Sequence, residues 1–250
     1  MTSIKAKPAI RPDESATTSL VSEVEQKRIL AAYARRPGTD RRYSWFNDAH
    51  LLLTQERERL VLQALKRHDV SALDGMRILE IGSGTGHWLR EFIKWGARPE
   101  NITGLDLIAE RVAEAKLLCP DAVRIECGDA GHLPFPGEAF DLVLQSTVFS
   151  SILDRDMRQQ VAAEMLRVLK RDGLILWYDL AVNNPSNADV RGINKREVRQ
   201  LFPACRIEFR RMTLAPPVAR LLARYSWFAC SLLAQMRWMC THYLGVVRKA

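Results

Sequence analysis

Three glycines at alternate positions separate a strand-like apolar segment from a helical one. They are Gly82, Gly84 and Gly86. Glycine lets the backbone turn sharply and approach a ligand closely. A helix that begins at the last of them would present free N–H groups and a partial positive charge, which suit an anionic group. We therefore predict a ligand-binding loop here, with Ser83 inside it and Glu80 two residues ahead of it.

The spacing of these glycines distinguishes two kinds of nucleotide-binding loop. Nicotinamide enzymes carry G-x-G-x-x-G, whereas this chain has G-x-G-x-G, so the spacing disfavours a nicotinamide dehydrogenase. Asp106 ends a strand-like segment twenty residues after Gly86. A carboxylate in that position can accept both hydroxyls of a ribose. The alternative is that Asp106 caps the helix predicted to begin at Ala109.

Further motifs follow in a fixed order and resemble those of a known family. Asp129 and Ala130 come after a third strand-like segment, and the runs Leu133-Pro-Phe-Pro136 and Phe140-Asp-Leu-Val-Leu144 come next. Together with the glycine loop, they resemble the class I S-adenosylmethionine-dependent methyltransferases, and within these the type 11-like small-molecule enzymes. The resemblance covers about residues 75–180. It implies a Rossmann-like fold, methyl transfer and S-adenosyl-L-methionine as the cofactor.

The resemblance also assigns contacts to the cofactor. The glycine loop receives its methionine end, Asp106 its ribose, and Asp129 with the Ala130 amide its adenine. Glu80 either orients the loop and the ammonium group or is a structural carboxylate, and the Asp129 segment could be an ordinary turn. The predicted cofactor-binding residues are Glu80, Gly82, Ser83, Gly84, Gly86, Asp106, Leu107, Asp129, Ala130 and Gln145.

No side chain stands out as a general base. A sulfonium methyl group is already activated, so the protein mainly has to align the acceptor, and a base matters most for an alcohol. Each candidate also has a structural interpretation, such as an N-cap for Asp154. The candidates are His50, His87, Asp154 and Asp179. We leave the catalytic residue unassigned and predict no metal, since the sequence contains no identifiable acidic cluster.

The segment after the fourth predicted strand, 145–150, should face the methyl group. It lacks the Asn/Asp-Pro-Pro-aromatic motif of adenine and glutamine N-methyltransferases. We expect the acceptor to be an oxygen or nitrogen of a small molecule, with a sugar or lipid-linked precursor as one hypothesis. Two alternatives stay open: an RNA methyltransferase, which the basic C-terminal region favours, and a non-catalytic S-adenosylmethionine-binding interaction protein.

The elements that must position these residues alternate along the chain from Gly75. Alternating strands and helices predict parallel pairing with helices on both faces of the sheet. We predict an α/β, Rossmann-like class I methyltransferase fold: a seven-stranded, mostly parallel sheet with an antiparallel last strand. The predicted strands are Arg77–Ile81, Ile102–Asp106, Val123–Cys127, Phe140–Gln145, Leu174–Leu180, Ile207–Thr213 and Thr241–Arg248.

The chain is predicted to contain three regions. Residues 1–20 form a disordered tail, residues 21–74 a helical cap, and residues 75–250 the methyltransferase domain. A single lid helix over about 215–239 is predicted between the last two strands. Its uncharged stretch, 225–236, is twelve residues long, which is too short for the ~20 residues of a transmembrane helix.

Charge and cysteine content suggest partners and a compartment. The net charge is +8, and residues 205–250 hold eight Lys or Arg against one acidic residue. This basic region predicts peripheral contact with an anionic membrane surface, or is simply a solvated face. Nucleic acid is a less favoured partner. The five cysteines form no C-x-x-C pair, which suits a reduced, cytoplasmic setting.

Overall fold

The computed structural model describes residues 14–36 and 40–250. Strand segments with buried apolar side chains form one seven-stranded sheet in the order β3-β2-β1-β4-β5-β7-β6. The strands are β1 (Ile78–Ile81), β2 (Ile102–Asp106), β3 (Arg124–Cys127), β4 (Phe140–Ser146), β5 (Leu169–Leu180), β6 (Cys205–Leu214) and β7 (Cys240–Lys249).

The pairing pattern confirms the predicted fold class. All pairs among β1 to β5 are parallel, whereas β7 runs antiparallel to both of its neighbours, β5 and β6. The order of the strands reverses between β1 and β4. In open α/β sheets, ligands bind outside the carboxyl ends of the strands at such a reversal.

Eight α-helices in the described part of the chain surround the sheet. They are α1 (Glu14–Ala34), α2 (Asp48–Arg67), α3 (His87–Lys94), α4 (Ala109–Leu118), α5 (Arg155–Val168), α6 (Lys195–Leu201), α7 (Pro216–Leu222) and α8 (Trp227–Ala234). Side chains of α2, α3 and α4 pack on one face of the sheet. Side chains of α1, α5 and α6 pack on the other. No helix in the described ranges has both the length and the apolar character needed to cross a bilayer.

The segment between β6 and β7 corrects one prediction. The expected single helix over 215–239 is wrong, because α7 ends at Leu222 and α8 begins separately at Trp227. Ser226 has an extended backbone and accepts a hydrogen bond from the Ala229 amide at 3.1 Å. A serine in this position starts a new helix. Both short helices pack together with the start of α2.

Two other predicted boundaries shift. The predicted tail, residues 1–20, mostly lies outside the described residues, and its last part, from Glu14, belongs to α1. The fifth strand, predicted as Leu174–Leu180, begins earlier, at Leu169, and has a register irregularity opposite Phe140 and Leu142 in β4. An irregularity of this kind lets a strand bend without ending. Whether residues 21–74 form a separate cap remains a prediction.

Candidate active site at the carboxyl edge of the sheet

The glycine loop joins β1 to α3 in a conformation that requires glycine. Gly82, Gly84 and Gly86 have φ of 69°, 54° and 76°, a region that other residues rarely adopt. A Cβ at Gly82 would lie 2.4 Å from Cγ2 of Val148, and one at Gly86 would lie 2.7 Å from Sγ of Cys119. The Gly82 amide donates to the Leu105 carbonyl at 2.8 Å. The loop is therefore fixed by close packing as well as by hydrogen bonds to β2.

Asp106 connects the glycine loop to the end of β2. Its side chain is buried. One carboxylate oxygen accepts from the Gly84 amide at 2.7 Å, and the other accepts from the Ile108 amide at 2.9 Å. The N-cap of α4 is Ile108 rather than Asp106, so the simple capping interpretation is wrong. Each carboxylate oxygen can accept more than one hydrogen bond, which leaves capacity for a ligand hydroxyl.

Two polar atoms beside the loop are buried without a partner. Oε2 of Glu80 and Oγ of Ser83 have no hydrogen-bond partner in the described protein. Burial, reinforced by the nearby Asp106 carboxylate, raises the pKa of Glu80 well above its usual value. Buried polar groups are normally hydrogen-bonded. Glu80 and Ser83 are therefore able to bind a ligand, and Glu80 suits a cationic group.

The loop after β3 contains the predicted adenine contacts. Asp129 accepts from the Gly131 amide at 2.8 Å, which is the hydrogen bond of an ordinary turn. It also accepts from Nε2 of Gln26 in α1 at 2.9 Å. Leu107 and Ala130 pack against the core cluster that includes Leu133. This turn is thus in contact with α1, which the sequence analysis did not predict.

Gln145, at the carboxyl end of β4, is fully buried. Its Nε2 donates to the Tyr178 carbonyl at 3.3 Å, and its Oε1 accepts from the Val148 amide at 3.1 Å. The side chain thereby holds the segment after β4 against β5. Val148 is also the residue that a side chain at position 82 would strike, so Gln145 acts indirectly on the glycine loop.

Two of the four candidate bases have structural roles. Asp154 accepts from the Met157 amide at 2.7 Å and is the N-cap of α5. Asp179 is buried and accepts from the Ser150 and Leu180 amides at 3.2 and 2.8 Å. These contacts give both carboxylates a structural role that does not involve the methyl acceptor.

The two candidate histidines both lie next to Trp45, and His87 is the first residue of α3, directly after the glycine loop. The ring of Trp45 lies 5.3 Å from that of His50 and 6.0 Å from that of His87. Burial, with the charge of Arg57, lowers the pKa of His87 to about 4, and that of His50 also falls. Both are therefore neutral at pH 7. Nε2 of His87 is buried and has no hydrogen-bond partner in the described ranges.

A cluster of polar and aromatic side chains next to β5 was not predicted from the sequence. The guanidinium carbon of Arg57 lies 5.3 Å from the ring centre of Trp88 and 5.4 Å from that of Tyr178. The Tyr178 ring stacks on His242 at 4.8 Å, and its hydroxyl bonds to Thr213 at 2.9 Å. The sequence held one signal: Arg57 is one helical turn from the buried positions 54, 60 and 61 of α2, so it belongs to the inner side of that helix.

No group of three His, Cys, Asp or Glu side chains within the described ranges is arranged to hold a metal ion. The expected absence of a metal requirement remains a prediction.

Comparison with known proteins agrees with the geometry. Residues 79–177 match a family model described as a methyltransferase domain. Methyltransferase GfsG of Streptomyces halstedii is 32% identical over 135 residues, which are 52% of this chain and 46% of that protein. The ubiquinone/menaquinone biosynthesis C-methyltransferase UbiE of Bordetella parapertussis is 37% identical over 110 residues, which are 41% of this chain and 40% of that protein. The matched region thus spans less than half the length of either relative.

A solved structure shares the fold over nearly the whole chain. The 1,6-didemethyltoxoflavin-N1-methyltransferase of Burkholderia thailandensis, crystallised with 1,6-didemethyltoxoflavin and S-adenosylhomocysteine, superposes with a TM-score of 0.58. The comparison covers 98% of this chain and 93% of that one, at 16% identity. Residues 79–177 are therefore similar in sequence to a methyltransferase domain, and the chain as a whole shares its fold with this S-adenosylhomocysteine-bound methyltransferase.

Proposed function

We propose that this protein binds S-adenosyl-L-methionine and transfers its methyl group to a small-molecule acceptor. The observation that carries the proposal is the pair of buried carboxylates beside the glycine loop, Glu80 with an unpartnered oxygen and Asp106 at the end of β2. The cofactor joins an amino acid to a nucleoside. Its ammonium group suits Glu80, and its ribose hydroxyls suit Asp106. The methyltransferase names of both curated relatives support the same activity.

The residues proposed for the remaining cofactor contacts lie at the carboxyl edge of the sheet. Gly82, Ser83, Gly84 and Gly86 would hold the methionine end, and Gln145 would keep the segment after β4 in position. Asp129 and the Ala130 amide would bind adenine against the side chain of Leu107. Oδ2 of Asp129 already contacts Gln26 and Nδ1 of His132, whereas Oδ1 accepts from the Gly131 amide and has capacity for a further donor. The contact with Gln26 would place α1 beside the bound adenine.

When bound, the cofactor supplies an electrophilic methyl group, so the protein must mainly align the acceptor and exclude water. Arg57 lies beside Trp88 of α3 and Tyr178 of β5, and His50 and His87 lie beside Trp45. A neutral histidine can take a proton from an acceptor, but a pKa of about 4 makes His87 a weak base. An acceptor that already ionises, or an amine, therefore suits this site better than a simple alcohol. We keep oxygen or nitrogen of a small molecule as the proposed target.

The test is transfer of a labelled methyl group. Purified protein is incubated with methyl-labelled S-adenosyl-L-methionine and a cell extract, and products are identified by mass spectrometry. A labelled compound of low molecular mass supports the proposal, and its fragmentation gives the methylated atom. The Asp106→Ala variant should give no product. Asp156→Ala, which alters an exposed carboxylate in the first turn of α5, serves as the matched control.

Other outcomes identify the alternatives. A labelled product that ribonuclease destroys would indicate an RNA methyltransferase. Tight binding of S-adenosylhomocysteine without any labelled product would indicate a non-catalytic binding protein. A product methylated on carbon would retain the enzyme class and refute the expected oxygen or nitrogen target.

The β6–β7 insertion supports a second proposal, contact with an anionic membrane surface. It exposes large apolar side chains around three exposed arginines, Arg220, Arg224 and Arg237, and contains no acidic residue between 215 and 239. The exposed apolar side chains are Leu221 (61%), Tyr225 (71%), Phe228 (79%), Leu232 (51%) and Trp238 (76%). Aromatic rings with flanking arginines suit the interface of an anionic bilayer.

A second segment extends the same surface. Tyr43, Trp45 and Phe46 are exposed next to it. The Arg42 side chain is the main cause of the lowered pKa of Asp40, and Arg220 of α7 also contributes, which indicates that the two segments are neighbours. A lipid-linked acceptor would reach the site from such a surface.

Vesicle sedimentation tests this contact. Vesicles that contain phosphatidylglycerol should bind the protein at low salt, and phosphatidylcholine vesicles should bind it much less. Arginines near an anionic surface contribute about 1 kcal/mol each, so replacing Arg220, Arg224 and Arg237 by Gln should weaken binding about 100-fold. Phe228→Ser should also reduce binding, whereas Leu117→Ser, an equally exposed change on α4, should not. Absence of binding at low salt would refute the proposal.

A further inference from the structure

Arg57 is a half-buried cation without a counter-ion. Its guanidinium lies beside the rings of Trp88 and Tyr178. Its Nε is shielded from solvent and has no hydrogen-bond partner, and Arg57 forms no ion pair within the described ranges. Removing a charge from water is costly unless an opposite charge or hydrogen bonds compensate. The protein therefore carries, on the inner side of α2, a positive charge that has no direct ion-pair partner among the described residues.

The neighbouring titratable groups form no ion pair with Arg57. His50, His87 and His242 all have pKa values lowered by burial and then by Arg57, so they are neutral at pH 7. Glu58 on α2 and Glu80 on β1 lie within electrostatic reach of Arg57, whose charge opposes the rise that burial causes in the pKa of both carboxyls. Neither carboxylate forms an ion pair with Arg57 in the described ranges. The positive charge remains available to a ligand.

The position of Arg57 fits the acceptor rather than the nucleoside. Tyr178 pairs with Ser146 across β5 and β4, and its carbonyl accepts from the Thr147 amide at 2.7 Å. Asp106 and Asp129, the residues proposed for ribose and adenine, lie after β2 and β3 on the other side of β1. Arg57 therefore stands between the glycine loop and β5, next to the region where the methyl group would be presented.

Aromatic rings lead from the surface to Arg57. Trp45 lies 6.0 Å from His87, and His87 lies 5.6 Å from Trp88. Nε2 of His87 is a buried hydrogen-bonding atom without a partner among the described residues. Such a run of rings favours a flat molecule, since aromatic groups stack or meet edge to face.

We propose that Arg57 binds a carboxylate or similar oxyanion of a flat acceptor that packs against Trp45 and His87. This inference rests on the proposed methyl transfer and narrows its substrate class to acidic aromatic or heterocyclic molecules. A guanidinium binds a carboxylate through two parallel hydrogen bonds, which would also fix the orientation of the ring. The cofactor's own carboxylate has the same chemistry, and the experiment separates the two sources.

The experiment uses benzoate and benzamide, two flat probes that differ in charge. Calorimetry is carried out on the full chain saturated with S-adenosylhomocysteine. The unmodified protein should bind benzoate at least about tenfold more tightly than benzamide, since a charged hydrogen bond contributes about 1.5–3 kcal/mol. Arg57→Met should lose this preference. Arg59→Met, an exposed arginine of the same helix, should keep it. Equal affinities for the two probes in the unmodified protein would overturn the proposal.

A second measurement tests the cofactor as the source of the carboxylate. S-adenosylhomocysteine carries the amino-acid end, and 5′-methylthioadenosine lacks it. If Arg57→Met weakens the binding of S-adenosylhomocysteine about tenfold and leaves the binding of 5′-methylthioadenosine unchanged, Arg57 binds the cofactor and the proposal fails. Equal affinity of the variant and the unmodified protein for both nucleosides supports the acceptor. If the Met variant does not fold, Arg57→Lys should keep only part of the benzoate preference.

Failure of the proposed function has a different signature. A protein that does not bind S-adenosylhomocysteine at all refutes cofactor binding, whatever benzoate does. A protein that binds it and also selects benzoate through Arg57 supports the anion site even if the acceptor for methyl transfer is still unidentified.

Discussion

Replacing Gly82 by Ala tests the conformation of the glycine loop. The residue has φ of 69°, and a Cβ added there would lie 2.4 Å from Cγ2 of Val148. The left-handed conformation costs a residue with a side chain about 1–2 kcal/mol. Forcing an extra methyl group into a packed site costs about 1–3 kcal/mol more. The free energy of unfolding should therefore fall by about 2–5 kcal/mol in Gly82→Ala.

Two other glycines separate these contributions. Gly96 also has a positive φ, 99°, but a Cβ there would meet nothing within 4 Å. Gly96→Ala should therefore cost only about 1–2 kcal/mol. Gly75 has an ordinary φ and open space, so Gly75→Ala should be neutral or stabilising by up to about 1 kcal/mol. Adding Val148→Ala to Gly82→Ala should recover the stability lost to the steric contact but not the stability lost to the left-handed backbone.

Urea unfolding gives the three stabilities, and calorimetry with S-adenosylhomocysteine gives the effect on ligand binding. The Gly82→Ala variant should bind this ligand weakly, and Gly82→Ala combined with Val148→Ala should regain part of the stability. If Gly82→Ala costs no more than Gly96→Ala, the predicted contact with Val148 is absent. If it costs no more than Gly75→Ala, the loop does not adopt the left-handed conformation.

Three further results are expected. Asp106→Ala should weaken S-adenosylhomocysteine binding by about 100-fold or more, because about 3 kcal/mol of charged hydrogen bonding is lost; an unchanged calorimetric Kd would show that the ribose site is elsewhere. Burial raises the pKa of Asp179 from 3.8 to about 6, although amides from Ser150 and Leu180 partly oppose this. The folded state therefore binds the extra proton between these pH values, and its stability should fall by about 3 kcal/mol as pH rises from about 3 to 7. This slope, measured by urea unfolding, should be missing in Asp179→Asn, and parallel curves would contradict the assignment. Glu80 has a raised pKa, so cofactor binding should release a proton as its ammonium group pairs with the carboxylate. Calorimetry in buffers of different ionisation enthalpy detects this release, and an undiminished release in Glu80→Gln would rule Glu80 out.

Segments with strong local signals were predictable. Ile102–Asp106 is the strand that the sequence predicts, with the same ends, and α4 begins at Ala109 as predicted. Their apolar spacing is regular, and turn residues flank them. The inserted segment after β6 is apolar almost throughout, so its periodicity did not reveal the break at Ser226. That break depends on one side-chain hydrogen bond to the backbone, which a pattern of hydrophobicity does not record.

The candidate site likewise has features that the sequence predicts and features that depend on the tertiary structure. The positive φ values at the three glycines were implied by residue type, since glycine is the residue that tolerates them. The contact between Gln26 and Asp129 was not predictable, because it depends on where α1 packs. The N-cap interpretation of Asp154 was available from the sequence and is confirmed, whereas the structural role of Asp179 became clear only from its amide partners.

The sequence by itself determined the fold class and the loop that joins β1 to α3, because these follow from apolar periodicity and from glycine, both local properties of a short segment. The tertiary structure decided the other side of the site. Arg57, Tyr178 and His242 come from α2, β5 and β7, and they meet only because β7 pairs with β5 while α2 packs on the same face. An unpaired charge is a property of everything that surrounds it, and no local pattern in the chain specifies those surroundings.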